Sequence, residues 1–127
     1  MKKVLIVDDV KGWRDYNSQI VNDIFNSDVE IYTADCARKA YDLVIENNET
    51  PFDYVITDLQ MENDFEPKYA GEWLVEQVQL LKNYKNTKII LISATYNIRA
   101  IATGYNVECI PKSTALKCFS IYQDLLK

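Results

Sequence analysis

The chain of 127 residues contains no histidine. That absence excludes a Ser-His-Asp triad, a histidine general base and a phosphohistidine, so any acid-base or transfer chemistry must use carboxylates, amines, hydroxyls or a metal. Cysteine is scarce: Cys36, Cys109 and Cys118 are odd in number, lack paired spacing and have no histidine to complete a metal site. They are expected to be reduced, mostly buried thiols. Long hydrophobic runs are missing as well, none approaching the roughly 20 residues that cross a bilayer, so no membrane association is expected. The basic start, Met1-Lys2-Lys3, leads into Val4-Leu5-Ile6-Val7 in the manner of a signal peptide, but the run is short, ends in two aspartates and has no small-residue cleavage site. A cytoplasmic location is expected. Positive charge is in deficit, with 14 Lys and Arg against 19 Asp and Glu for a net charge of −5. Direct nucleic-acid binding, which needs clustered cations, is not expected.

What is present is an ordinary globular composition, 48% hydrophobic and 26% charged, long enough to bury one core. The chain is organised around residues 52–59, Phe-Asp-Tyr-Val-Ile-Thr-Asp-Leu, an apolar run that stops at Asp58. Continuous apolar runs also occupy 3–7 and 88–92, the pattern of strands buried on both faces of a parallel sheet. Residues 29–34 alternate more, as an edge strand does, and 107–110 form a short fifth strand. Between them lie helical spacings. Trp13, Tyr16, Ile20, Ile24 and Phe25 mark a helix over 12–25, and Ala37, Ala40, Tyr41 and Val44 one over 37–48. Leu74, Val78 and Leu81 mark a helix over 72–83, a short helix over 97–103 is expected to stop at Gly104, and Ala115, Phe119, Tyr122 and Leu126 mark the last, over 114–126.

The order is β-α repeated five times, without linker, repeat or low-complexity stretch. It predicts an α/β fold in a single domain over 1–127: a doubly wound, five-stranded parallel sheet in the flavodoxin-like order 2-1-3-4-5. In such a sheet all carboxyl ends of the strands share one rim, where ligands bind. That rim receives Asp8 and Asp9 from the first strand, Asp58 from the third, Ser93 from the fourth and Lys112 from the fifth. Two carboxylates about 5 Å apart repel by about 3 kcal/mol at an effective dielectric near 20, so the cluster needs a cation. Mg²⁺ suits the oxygen donors and leaves a position open for a phosphoryl oxygen. Asp58 would be the nucleophile, Lys112 a fixed positive charge for the transferring oxygens, and Ser93 a hydrogen-bond donor to the product.

The acid pair after the first strand, the single aspartate after the third, the hydroxyl followed by Ala94 after the fourth and the lysine after the fifth resemble the receiver domain of two-component response regulators, over the whole chain. The resemblance implies that Asp58 is the phosphoacceptor, that Asp8, Asp9 and Asp58 hold Mg²⁺ with the Gln60 backbone carbonyl, that Ser93 is the switch hydroxyl and that Lys112 contacts the phosphoryl group. It implies a sensor histidine kinase or phosphotransfer protein as donor, an output protein reached by protein contacts, and either a stand-alone receiver or a piece of a longer regulator.

The chain departs from the family pattern in three places. Ser113 follows Lys112 where the family usually has a proline, and Pro111 precedes it. Cys109 stands where the family tends to have Tyr or Phe. The loop over 60–70 is longer than usual and acidic, with Glu62, Asp64 and Glu66 beside Pro67, and reads best as a solvated insertion.

Three other readings compete. A degenerate receiver would dock a partner without phosphorylation, as Cys109 and Ser113 suggest. A Mg²⁺-dependent phosphatase with an aspartate nucleophile would carry a second aspartate two residues on, where this chain has Gln60, and would turn over p-nitrophenyl phosphate. A flavin-binding protein would need a first loop of hydroxyls and glycines, and Asp8-Asp9 would repel the flavin phosphate.

Overall fold

The computed structural model describes residues 1–61 and 69–126. The strands β1 (Lys2–Val7), β2 (Val29–Ala34), β3 (Tyr54–Asp58), β4 (Lys88–Ser93) and β5 (Glu108–Pro111) form one sheet in the order β2-β1-β3-β4-β5. Every neighbouring pair is parallel. The continuous apolar runs became the three central strands because a strand covered by helices on both sides has no polar face to present. Residues then alternate between two cores. Leu5, Val7, Val55, Ile89 and Leu91 pack on α2 (Ala37–Glu46), α3 (Ala70–Leu80) and α4 (Ile98–Tyr105). Val4, Ile6, Ile56, Ile90 and Ile92 pack on α1 (Lys11–Ile24) and on the terminal segment of α5 (Lys112–Ala115) and α6 (Phe119–Leu125). None of the helices is long and apolar enough to cross a membrane among the described residues.

Register decides what meets at the rim. Val7 pairs with Thr57, so Asp8 and Asp58 each stand one residue beyond the same rung. Asp58 pairs with Ile92, and Ser93 pairs with Pro111, which puts Lys112 one residue past Ser93's level.

Several expectations are corrected. The helix expected over 72–83 begins at Ala70 and ends at Leu80, and a separate 3-10 turn covers Lys82–Tyr84. The helix expected to stop at Gly104 runs through it to Tyr105, and the left-handed residue is Asn106, with φ 58° and ψ 45°. Asn tolerates that conformation. The two further residues include Tyr105, whose hydroxyl reaches the carboxylates of Glu72 (3.1 Å) and Glu76 (2.8 Å) on α3. The single last helix is broken at 116–118. Tyr16 donates its hydroxyl proton to the Ala115 carbonyl at 2.7 Å, competing for the acceptor that an unbroken helix would offer to the N–H of Phe119. In consequence Phe119 is 43% exposed rather than inward. The cysteines are less buried than expected, Cys36 and Cys109 being intermediate and Cys118 exposed. Of the acidic loop, Glu62, Asp64, Glu66 and Pro67 lie outside the described residues.

Candidate functional site

Asp8 leaves β1 with its N–H on the Ala34 carbonyl (3.1 Å), which continues the ladder to β2 by one bond and fixes where the side chain starts. One carboxylate oxygen, Oδ1, accepts the N–H of Val10 at 2.9 Å and shapes the turn into α1. The backbone carbonyl of Asp8 accepts from the guanidinium of Arg14 at 2.8 Å. The other oxygen, Oδ2, faces the cluster. Asp8 therefore serves the turn and the rim at once.

Asp58 ends β3 and is 4% exposed. The Leu59 N–H bonds the Ile92 carbonyl at 3.0 Å, and the Thr57 hydroxyl donates to the Asp58 carbonyl at 3.0 Å, so the backbone is tied on both sides. The N–H of Gln60 is directed at the Asp58 carboxylate. Gln60 itself is exposed.

Carboxylate oxygens of Asp8, Asp9 and Asp58 all lie within 4.8 Å of one another. The ammonium of Lys112, the first residue of α5, stands 3.4 Å from Asp8 Oδ2 and 3.6 Å from Asp58 Oδ1. It also lies 4.8 Å from the centroid of the Trp13 ring. Ser93 is on the same rim and buried, its Oγ accepting the Thr95 N–H at 3.1 Å, an arrangement that leaves the hydroxyl proton for another acceptor. The structure thus brings Asp8, Asp9, Asp58 and Lys112 into one cluster, with Ser93 on the adjoining strand end.

Charge balance follows. Burial pushes the Asp58 carboxyl up to about 7, the negative charge of Asp8 adds to that, and Lys112 opposes it. Burial also raises Asp8, against the Val10 hydrogen bond and Lys112. Among the described residues, three carboxylates are crowded together where Asp8 and Asp58 are almost fully buried. The donors on offer are hard oxygens, which suit Mg²⁺, Mn²⁺ or Ca²⁺ better than a thiolate- or imidazole-seeking metal. The residues fit a divalent cation.

Two residues of this site were not singled out from the sequence. Gly71, in the first turn of α3, lies so close to the Asp58 and Leu59 backbone that a Cβ would fall 2.4 Å from the Asp58 carbonyl oxygen. In the sequence Gly71 lies just ahead of the helix expected over 72–83, so nothing local marked it; its role follows from α3 beginning at Ala70. Trp13 holds the face of its ring toward Lys112, and its signal was an aromatic residue in the first turn of the helix that follows Asp8 and Asp9.

No protein-family profile matches the chain. No curated protein matches it either. Solved structures do. The chain is similar to the chemotaxis protein CheY4 of Vibrio cholerae, with 22% identity, 98% of each chain covered and a TM-score of 0.74. It is similar to the receiver domain of the histidine kinase CKI1 from Arabidopsis thaliana, solved as a point mutant, with 22% identity, 99% of this chain and 91% of that one covered and a TM-score of 0.74. The Mn²⁺-bound form of the response regulator Rcp1 is similar too, with 19% identity, 98% and 91% covered and a TM-score of 0.68. At these identities the likeness is one of fold: the chain has the fold of response regulator receiver domains.

Proposed function

We propose that residues 1–127 act as a phosphoacceptor receiver unit of a two-component system, taking a phosphoryl group onto Asp58. The observation that carries this reading is the set of three carboxylates within 4.8 Å with the Lys112 ammonium 3.6 Å from the proposed nucleophile. The receiver fold supports it, as does the Mn²⁺ bound by a protein of that fold.

In this reading Asp8, Asp9, Asp58 and the Gln60 backbone carbonyl hold Mg²⁺. When bound, the ion supplies positive charge for the carboxylates and for the phosphoryl oxygens. An Asp58 carboxylate oxygen forms the new bond to phosphorus while the bond from phosphorus to the donor's imidazole nitrogen breaks, and the electron pair stays on that nitrogen. Asp58 must be ionised to do this, and Lys112, which opposes the upward shift of its carboxyl, keeps the anion accessible near neutral pH. Lys112 then exchanges the Asp58 oxygen for a phosphoryl oxygen, and Ser93 donates its free hydroxyl proton to another. Moving Ser93 draws on Thr95, which it holds at 3.1 Å, so the loop into α4 is the segment that senses the phosphoryl group.

The donor is a sensor histidine kinase or phosphotransfer protein and the output passes through protein contacts, without direct nucleic-acid or membrane binding, in the cytoplasm. A second reading, docking without phosphorylation, is favoured by one observation: Cys109 is a half-buried thiol at the place where an aromatic relay is expected. Intact-protein mass after incubation with acetyl phosphate separates the two. A gain of one phosphoryl group that requires Mg²⁺ and is lost in Asp58→Ala is the expected result. No gain in folded protein favours docking.

A further inference from the structure

We propose that Trp13 is a positioning residue for Lys112, its ring face fixing where the ammonium stands among the three carboxylates; this rests on the phosphoacceptor reading above. The two ion-pair separations, 3.4 Å and 3.6 Å, are both longer than the usual 2.7–2.9 Å of a charge-assisted hydrogen bond. Neither carboxylate pins the amine. A third contact closes the triangle, the ring of Trp13 at 4.8 Å from Lys112 Nζ. The negative face of an indole attracts a cation, and the attraction strengthens where water is excluded. Only 16% of the Lys112 side chain is exposed.

The ring is itself held. Trp13 meets Tyr16 edge to face, with centroids 5.5 Å apart and planes at 82°. Tyr16 then donates to the Ala115 carbonyl at 2.7 Å, in the same short helix that begins with Lys112. Consecutive turns of α1 therefore hold the head group of Lys112 and the backbone that carries it. Chain stiffness contributes on one side only: Pro111 fixes the backbone ahead of Lys112, whereas Ser113 imposes no such restriction behind it.

The test uses the full chain carrying Trp73→Phe, which leaves Trp13 as the sole tryptophan. Phosphoryl uptake from acetyl phosphate with Mg²⁺ is timed for this parent, for added Trp13→Phe and Trp13→Leu, and for the parent grown with mono-, di- and trifluorotryptophan. Fluorination drains the ring face of negative charge without changing its shape, so a purely structural role would not feel it. In parallel, the ε-methylene resonance of Lys112, assigned with Lys112→Met, is recorded without metal.

The expected results are a rate near the parent's for Trp13→Phe, a loss of about three- to tenfold for Trp13→Leu, a stepwise loss along the fluorine series and an ε-methylene signal shifted upfield by the ring. Equal rates for Phe and Leu with a flat fluorine series overturn the proposal while the phosphoacceptor reading stands. An unshifted ε-methylene overturns it directly. A folded parent that gains no phosphoryl group overturns the phosphoacceptor reading and this role with it, and an upfield ε-methylene then shows the contact surviving without that role. Should Trp13→Leu fail to fold, the fluorine series and the resonance still decide.

Discussion

Gly71 packs its Cα against the carbonyl of Asp58 so closely that a Cβ there would lie 2.4 Å from the oxygen, and 2.7 Å from the Cα of Leu59. The Gly71 N–H completes the contact by bonding the Leu59 carbonyl at 3.0 Å. Helix α3 is thereby set directly on the backbone that carries the proposed nucleophile.

Gly71→Ala should therefore do more than perturb a helix. Alanine is the better helix former by about 1 kcal/mol, but backbone atoms cannot yield as a flexible side chain does. The expected net result is a loss of about 1–3 kcal/mol in urea unfolding together with weaker Mg²⁺ binding, because the Asp58 backbone has to shift. An unchanged or higher unfolding midpoint would show that α3 can move away at no cost.

The Asp58 carboxyl sits at about 7, pushed up first by burial and then by Asp8, from an ordinary value of 3.8. Between those two values the folded chain holds a proton that the unfolded chain has released, so stability falls as pH rises through that window, and the loss is complete above about 7. The raised Asp8 carboxyl acts in the same direction. Asp58→Asn should be more stable than the parent at pH 8 without metal, by roughly 2–4 kcal/mol, with the difference closing toward pH 4. Mg²⁺ should recover much of that loss for the parent at pH 8 and little at pH 5, where protons compete for the same oxygens. Urea titrations at several pH values, with EDTA or Mg²⁺, check this. A parent that gains stability over the Asn variant as pH rises without metal would refute it.

Tyr122 donates to Asn17 at 2.6 Å across the α1–α6 contact, and both residues are buried. Tyr122→Phe keeps the ring and leaves the Asn17 oxygen without its donor, which should cost about 1–3 kcal/mol. Adding Asn17→Ala should cost less than the sum of the two single changes, since the bond can be lost only once. Strict additivity in a double-mutant cycle would show that the bond contributes nothing.

How far the sequence could be read depends on what decides each feature. The apolar runs of β1, β3 and β4 have a single stable environment, a sheet covered on both faces, and chain order with right-handed crossovers then places Asp8, Asp58 and Lys112 on one rim. Features decided by tertiary partners were not legible. Nothing local chooses between Gly104 and Asn106 as the left-handed end of α4, and the later end is the one that gives the Tyr105 hydroxyl to Glu72 and Glu76 on α3. Nothing local breaks the last helix either; the competitor for the Ala115 carbonyl is Tyr16, 99 residues away in sequence. Phe119 and Cys118 followed that break outward, and the expected apolar stripe lost its middle.

Lys112→Met offers the sharpest separation of roles, because two observables should move in opposite directions. The ammonium lies 3.4 Å from Asp8 and 3.6 Å from Asp58 and so competes with any cation for the same carboxylates. Removing it raises the negative charge of the site, and Mg²⁺ should bind several-fold to about tenfold more tightly at pH 8, as titration calorimetry would record. Phosphoryl uptake from acetyl phosphate should nevertheless fall by about 10²-fold, since the positive charge that meets the incoming oxygens is gone. If Lys112 merely neutralised the acids, tighter metal binding would leave the rate of uptake unchanged or raise it. If the lysine were a structural prop for the β5–α5 turn, metal affinity and uptake would fall together with the unfolding midpoint.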